Sequence, residues 1–125
     1  MSSVWYNTGV DLLTTSVTMV ESASDPYILV SLAGEADVTN SDALREVLDG
    51  EVAKQPRMLV IDLGELRFMD SSALHVLLRA NRTMDRHGGL VALARPQEPV
   101  ARMLHLTAAD QLIPVYGSIA EATAD

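Results

Sequence analysis

The feature that most constrains the fold is the run Met58-Leu-Val-Ile61, extended by Leu63 and interrupted only by Asp62. A short run of branched apolar residues suits a strand buried on both faces. Shortly after it, Ala73, Leu74, Leu77, Leu78 and Met84 recur at three- and four-residue spacing, with Asn81 the polar exception. That spacing predicts an amphipathic helix. A strand covered on both sides and followed directly by a helix implies parallel neighbours joined by right-handed crossovers. Between strand and helix lies Phe68-Met-Asp-Ser-Ser72, a polar knot where the helix should start.

The rest of the chain reads around this unit. Residues 1–11 form a partly ordered lead-in, with Trp5 and Tyr6 as packing residues, and the domain spans residues 12–125. Thr14 to Val20 is rich in β-branched residues and predicts an edge strand. Glu21 to Pro26 is a turn, and Tyr27 to Ala33 a second strand, ended by Gly34, that forms a hairpin with the first. Thr39 and Asp42 have capping-box spacing. Leu44, Val47, Leu48 and Val52 then make the buried stripe of a helix that must stop before Pro56. The central helix ends at Arg86-His-Gly-Gly89, with basic residues in its last turn and glycine at its cap. Leu90 to Ala94 is a strand. Pro96 suits a first helical residue, with Val100, Met103, Leu104 and Thr107 on one face. Leu112 to Val115 is a last strand, and Ser118 caps a short helix carrying Ile119 and Ala122. The expected order is β-β-α-β-α-β-α-β-α, an α/β single domain with a mixed sheet.

At 125 residues the chain supports one core. Its formal charge is −8, and it is uneven: residues 1–70 hold 12 acids and 4 bases, whereas residues 71–125 hold 5 of each. An acidic surface disfavours nucleic-acid phosphates and anionic membranes and favours a partner with a basic face; solubility is the plainer explanation. Absence of cysteine excludes disulfides, thiolate nucleophiles and Cys-based zinc sites. No stretch approaches the roughly 20 apolar residues of a membrane helix. The N-terminus has neither the basic start nor the apolar core of a signal peptide. The expectation is a soluble, cytoplasmic protein without membrane insertion or direct nucleic-acid binding.

The residues with chemical potential centre on the knot. A serine at a loop-to-helix junction is normally an N-cap, its oxygen accepting a first-turn N–H. With Ser71 and Ser72 adjacent, one hydroxyl remains free, beside helix N–H groups that favour an anion. A phosphate there would bring a charge of about −2 into a neutral patch and act chiefly on a docked partner. Asp70, Glu35 and Asp37 could form a Mg²⁺-binding carboxylate cluster; the alternative, which pattern favours, is that Asp70 caps or braces the turn and the other two are solvated. His75, His87 and His105 match no zinc spacing. Ser72, His75 and Asp70 could make a hydrolase site, but no oxyanion hole or GxSxG elbow accompanies them. Arg79, Arg82 and Arg86 form a basic stripe on the outer side of the central helix, either solvated or facing an acidic patch on a partner or on a second copy of the chain. A homodimer is therefore left open. There is no Walker A or GxGxxG sequence.

The segment LVIDLGELRFMDSSALHVLL, residues 59–78, resembles the signature of STAS domains, specifically bacterial anti-sigma factor antagonists. Leu32-Ala-Gly-Glu-Ala-Asp37, Gly88-Gly89 and Pro99-Val-Ala-Arg-Met-Leu104 match in their expected places, so the resemblance spans about residues 12–123. It implies a mixed sheet with helices mainly on one face and no catalytic activity, cofactor or metal. It also implies binding to an anti-sigma factor that is a serine kinase of the histidine-kinase-like ATPase class. That kinase would phosphorylate Ser72 and so weaken binding, and a PP2C-type phosphatase would restore it. Glu35, Asp37, Asp70, Ser71, Ser72 and His75 would form the docking surface. Two positions depart from the pattern: Ala73 and His75 stand where close relatives often have glycine, and His75 places a bulkier group one turn past Ser72. The same fold serves in transporter-associated and stressosome subunits, which remain an alternative.

Overall fold

The computed structural model describes residues 13–20 and 25–124 in full and residues 3–7 by their backbone. The side chains of Trp5 and Tyr6, most of the 21–26 turn and the expected boundary at residues 11 and 12 lie outside the described residues. The order is β1 (Ser3–Asn7), β2 (Leu13–Val20), β3 (Tyr27–Ala36), α1 (Ser41–Val52), β4 (Met58–Met69), α2 (Ser71–Arg86), β5 (Leu90–Ala94), α3 (Glu98–Leu106), a 3₁₀ turn (Ala109–Gln111), β6 (Val115–Tyr116) and α4 (Ile119–Ala122).

All six strands form one sheet in sequence order. β1–β2 and β2–β3 are antiparallel. β3–β4, β4–β5 and β5–β6 are parallel, as crossover helices between them require. β4 is central and covered on both faces, with Val60 and Ile61 fully buried. Leu59, Ile61 and Leu63 share a core with Leu44 and Leu48 of α1, Leu77 of α2 and Leu104 of α3. Across the sheet, Val60, Ala92 and Ala94 pack with Ala122 and Ile119 of α4. Three helices thus cover one face and the short α4 covers part of the other. The period-two alternation of strand side chains produces this division.

Several sequence expectations are corrected. Part of the N-terminal lead-in, Ser3–Asn7, is a strand, which makes β2 an interior strand rather than an edge. β3 continues through Gly34 to Ala36, and β4 runs past Leu63 to Met69 beside it, with register shifts on either side of Ala33 and Gly34. Gly34 supplies a φ of +106° at this irregularity, a value that glycine tolerates without penalty. α3 begins at Glu98, so Pro99, not Pro96, occupies its first turn. Leu112–Pro114 is not strand: Leu112 is exposed after the 3₁₀ turn, and β6 is only Val115–Tyr116. A strand of two residues leaves almost no periodic signal to read.

Asp62, the one polar residue in the central run, is buried at 5% exposure. Its carboxylate accepts from Arg95 Nε at 2.7 Å and from an Arg95 terminal nitrogen at 3.1 Å. It also accepts from the Gly64 N–H at 3.0 Å and, at 3.5 Å, from the Ser31 hydroxyl. The hydrogen bond to Asp62 and then its charge raise the Arg95 pKa further. Arg95 itself sits at φ +45°, and its N–H donates to Tyr116 O at 2.8 Å. A buried carboxylate without such partners would cost several kcal/mol, so Arg95 is what permits Asp62 in the strand.

Gly64 leaves room for this pair, because an added Cβ would lie 2.5 Å from Arg95 Cζ. Gly64→Ala is expected to lower unfolding free energy by roughly 1–2 kcal/mol by displacing the guanidinium. In an Arg95→Ala background the same substitution should cost far less, a coupling that urea titration of the double-mutant cycle measures.

Candidate functional site

The C-terminal edge of the parallel strands carries the polar knot. β4 ends at Met69, and Asp70 follows in an extended conformation as the N-cap of α2. One carboxylate oxygen, Oδ1, accepts from the Ala73 N–H at 3.0 Å. The other, Oδ2, accepts from the Val38 N–H at 3.0 Å. The Asp70 N–H donates to Ala36 O at 3.0 Å. A single carboxylate therefore caps the helix and ties it to the turn between β3 and α1.

Of the two caps the sequence allows, a serine or Asp70, the structure has Asp70, so the expectation that one serine takes the role is corrected. The acid is the stronger acceptor for the helix N-terminus, and it lies where the chain is still extended. Ser71 and Ser72 become the first two helical residues. Ser71 is exposed and Ser72 half-buried. Among the described residues, neither hydroxyl has a hydrogen-bond partner within the protein. Both are reachable, and neither is sealed in the core.

The acidic turn is built by its own short-range bonds. Asn40, almost fully buried, accepts from the Asp37 N–H at 3.0 Å and donates to Glu35 O at 2.9 Å. Asp37 accepts from the Thr39 N–H at 2.9 Å and from its hydroxyl. The Thr39/Asp42 capping box does not form: Asn40 precedes α1, and Asp42 faces Arg45 at 3.6 Å. Thr39 is occupied by Asp37, which explains the loss. Glu35 meets Arg67 at 3.7 Å across the strands. Glu35, Asp37 and Asp70 are thus brought to one edge, yet each is engaged differently. No group of three His, Asp or Glu side chains able to hold a metal ion occurs among the described residues.

His75 is exposed one turn beyond Ser72 on α2. The Asp70 carboxylate is taken up by two backbone N–H groups, so it is not the group that would orient His75 in a hydrolase triad. In the basic stripe, Arg79 pairs with Asp49 of α1 at 3.3 Å, while Arg82 and Arg86 are exposed. Sequence reasoning missed Asn40, Val38 and Arg67. Asn40 had a readable signal, since asparagine just before a helical stripe is a strong cap or turn residue. Val38 and Arg67 had none, because their roles depend on contacts with Asp70 and Glu35, each far away in the chain.

Comparison with known proteins places this geometry. The STAS domain model matches residues 17–122. The anti-sigma F factor antagonist of Paenibacillus polymyxa is 33% identical over 90 residues, covering 71% of this chain and 77% of that protein. The anti-sigma-B factor antagonist of Bacillus subtilis is 32% identical over 88 residues, covering 70% and 80%. The crystal structure of an anti-sigma factor antagonist from Mycobacterium paratuberculosis superposes with a TM-score of 0.77 at 29% identity, covering 88% of this chain and 90% of that one.

The shared carboxylate makes a local prediction. Asp70→Ala should cost about 1–2 kcal/mol, the typical loss for a missing cap. It should also speed hydrogen exchange at both the Ala73 and Val38 amides, read by NMR. Faster exchange at Ala73 alone would mean that the turn does not depend on Asp70.

Proposed function

The chain belongs to the STAS domain family, and we propose that it is an anti-sigma factor antagonist switched off by phosphorylation of Ser72. The observation that carries this reading is the division of labour in the knot. Asp70 takes the capping role, so the Ser72 hydroxyl is left half-exposed and unbonded at the helix start. The relatives described above are named as antagonists of anti-sigma factors, in line with such a site.

The mechanism is association, not catalysis. The unphosphorylated edge, with Glu35, Asp37, Asp70, Ser71, Ser72 and His75, docks on an anti-sigma factor and withholds it from its sigma factor. The partner is a serine kinase of the histidine-kinase-like ATPase class, working in the cytoplasm. It transfers the ATP γ-phosphoryl group to Ser72 Oγ, leaving ADP and releasing the hydroxyl proton. A phosphate brings a charge of about −1.5 to −2 at neutral pH. Asp70 already holds the Ala73 N–H, so that donor is not free to neutralise the new anion, and Asp70 opposes it. The cost therefore falls on the docked complex. A PP2C-type phosphatase hydrolyses the phosphoserine and resets the surface. No step uses a cofactor or metal of this chain.

Incubation with the anti-sigma kinase and ATP, followed by mass spectrometry, should place one phosphate on Ser72, with none on Ser72→Ala. Phosphate on another residue would overturn the assignment of the acceptor. Ser72→Asp should fold like the parent and bind the kinase at least about tenfold more weakly in calorimetry. Undiminished binding by the stoichiometrically phosphorylated protein would overturn the charge mechanism.

A further inference from the structure

Six large apolar side chains are exposed among the described residues, and two of them, Val38 and Phe68, flank Asp70. Isolated exposed apolar residues are ordinary. These two differ in being held outward by structure. Val38 is 69% exposed. Its N–H is bound by Asp70, and its turn is closed on both sides by Asp37 and Asn40. Phe68 is 48% exposed. It pairs with Glu35, next to the core pair Ala36 and Met69, so strand alternation turns it away from the core shared with α1 and α2. Neither can move inward without breaking the bonds that build the site.

Resting on the function proposed above, we infer that Val38 and Phe68 are the apolar anchors of docking. The complementary face of the kinase would have an apolar centre and a basic rim. The neighbouring charges on this chain are mainly acidic: Glu35 pairs with Phe68, Asp37 adjoins Val38, and the exposed Glu65 lies three residues before Phe68, with Arg67 the basic exception. That charge pattern disfavours a second copy, whose identical charges would repel it, and favours a cationic partner. The arrangement also gives the phosphate its leverage. Apolar anchors contribute to binding only if the interface sheds water. Ser72 lies two residues beyond Asp70, and a phosphate dianion there resists dehydration. The switch would thus act on burial of the anchors as well as on charge.

Calorimetry decides the matter, using the serine-kinase anti-sigma factors of the source organism purified one by one. Val38→Ser and Phe68→Thr should each weaken binding by roughly tenfold or more. Leu106→Ser serves as the control. It removes a 76%-exposed leucine at the C-terminal end of α3, which lies at the opposite edge of the sheet, and it should leave affinity unchanged. Parental affinity in both anchor variants would overturn the anchors while leaving the antagonist function standing. Failure of the parent to bind any of these kinases would overturn that function itself. Should circular dichroism show Phe68→Thr unfolded, Val38→Ser alone decides, since a turn residue so exposed contributes little to the core. Parental self-association in sedimentation that both anchor substitutions abolish would reassign the patch to a second copy.

Discussion

The need to bury β4 on both faces governs the whole structure. Its run of branched residues cannot face water on either side, so helices must pack on one face and a further element on the other. The first requirement is met by α1, α2 and α3, and the second by the short α4. The parallel pairing of β3, β4 and β5 follows, since helices that lie on the sheet must cross from one strand to the next. Asp62 is the exception inside this strand. Its ion pair with Arg95, together with the Gly64 N–H, meets the cost of a buried carboxylate.

The same strand determines where the chemistry sits. β4 outruns its pairing with β5, which ends at Asp62 and Ala94, and continues beside β3 to Met69. This extension carries Asp70 to the β3–α1 turn. One carboxylate can then satisfy donors from two elements. Helix start and acidic turn become a single rigid edge, and the serines next to it are spared the capping role. The residue that caps the helix and the residues that present free hydroxyls are different, so a change at either serine leaves the Asp70 hydrogen bonds in place.

Relatives named as anti-sigma factor antagonists and the model match over residues 17–122 agree with an edge built for association. The described residues contain no metal cluster, and no helix among them is long and apolar enough to cross a membrane. Departures at Ala73 and His75 are accommodated without distortion. Ala73 is buried in the core under α2, and His75 points to solvent on its outer face. The imidazole thus stands exposed one turn past Ser72, on the same helix.

Local and periodic signals determined much of this protein from sequence alone. The buried run of β4, the amphipathic stripe of α2, the glycine stop at Gly88 and the Ser118 cap of α4 all depend on neighbours a few residues away, and all were legible. So was the placement of two serines at the start of α2, at least one of them with a free hydroxyl. The tertiary structure decided the rest. Asp70 and the two serines were all possible caps of α2 in the sequence; the structure has Asp70 in that role and adds its second bond, to the Val38 N–H 32 residues away. That Thr39 and Asp42 fail to form a capping box depends on Asp37 claiming Thr39. The burial of Asp62 depends on Arg95, 33 residues away. Periodicity reports which face a residue occupies, but not which of several capable groups wins a given donor. That competition is settled only when distant segments are brought within hydrogen-bonding distance.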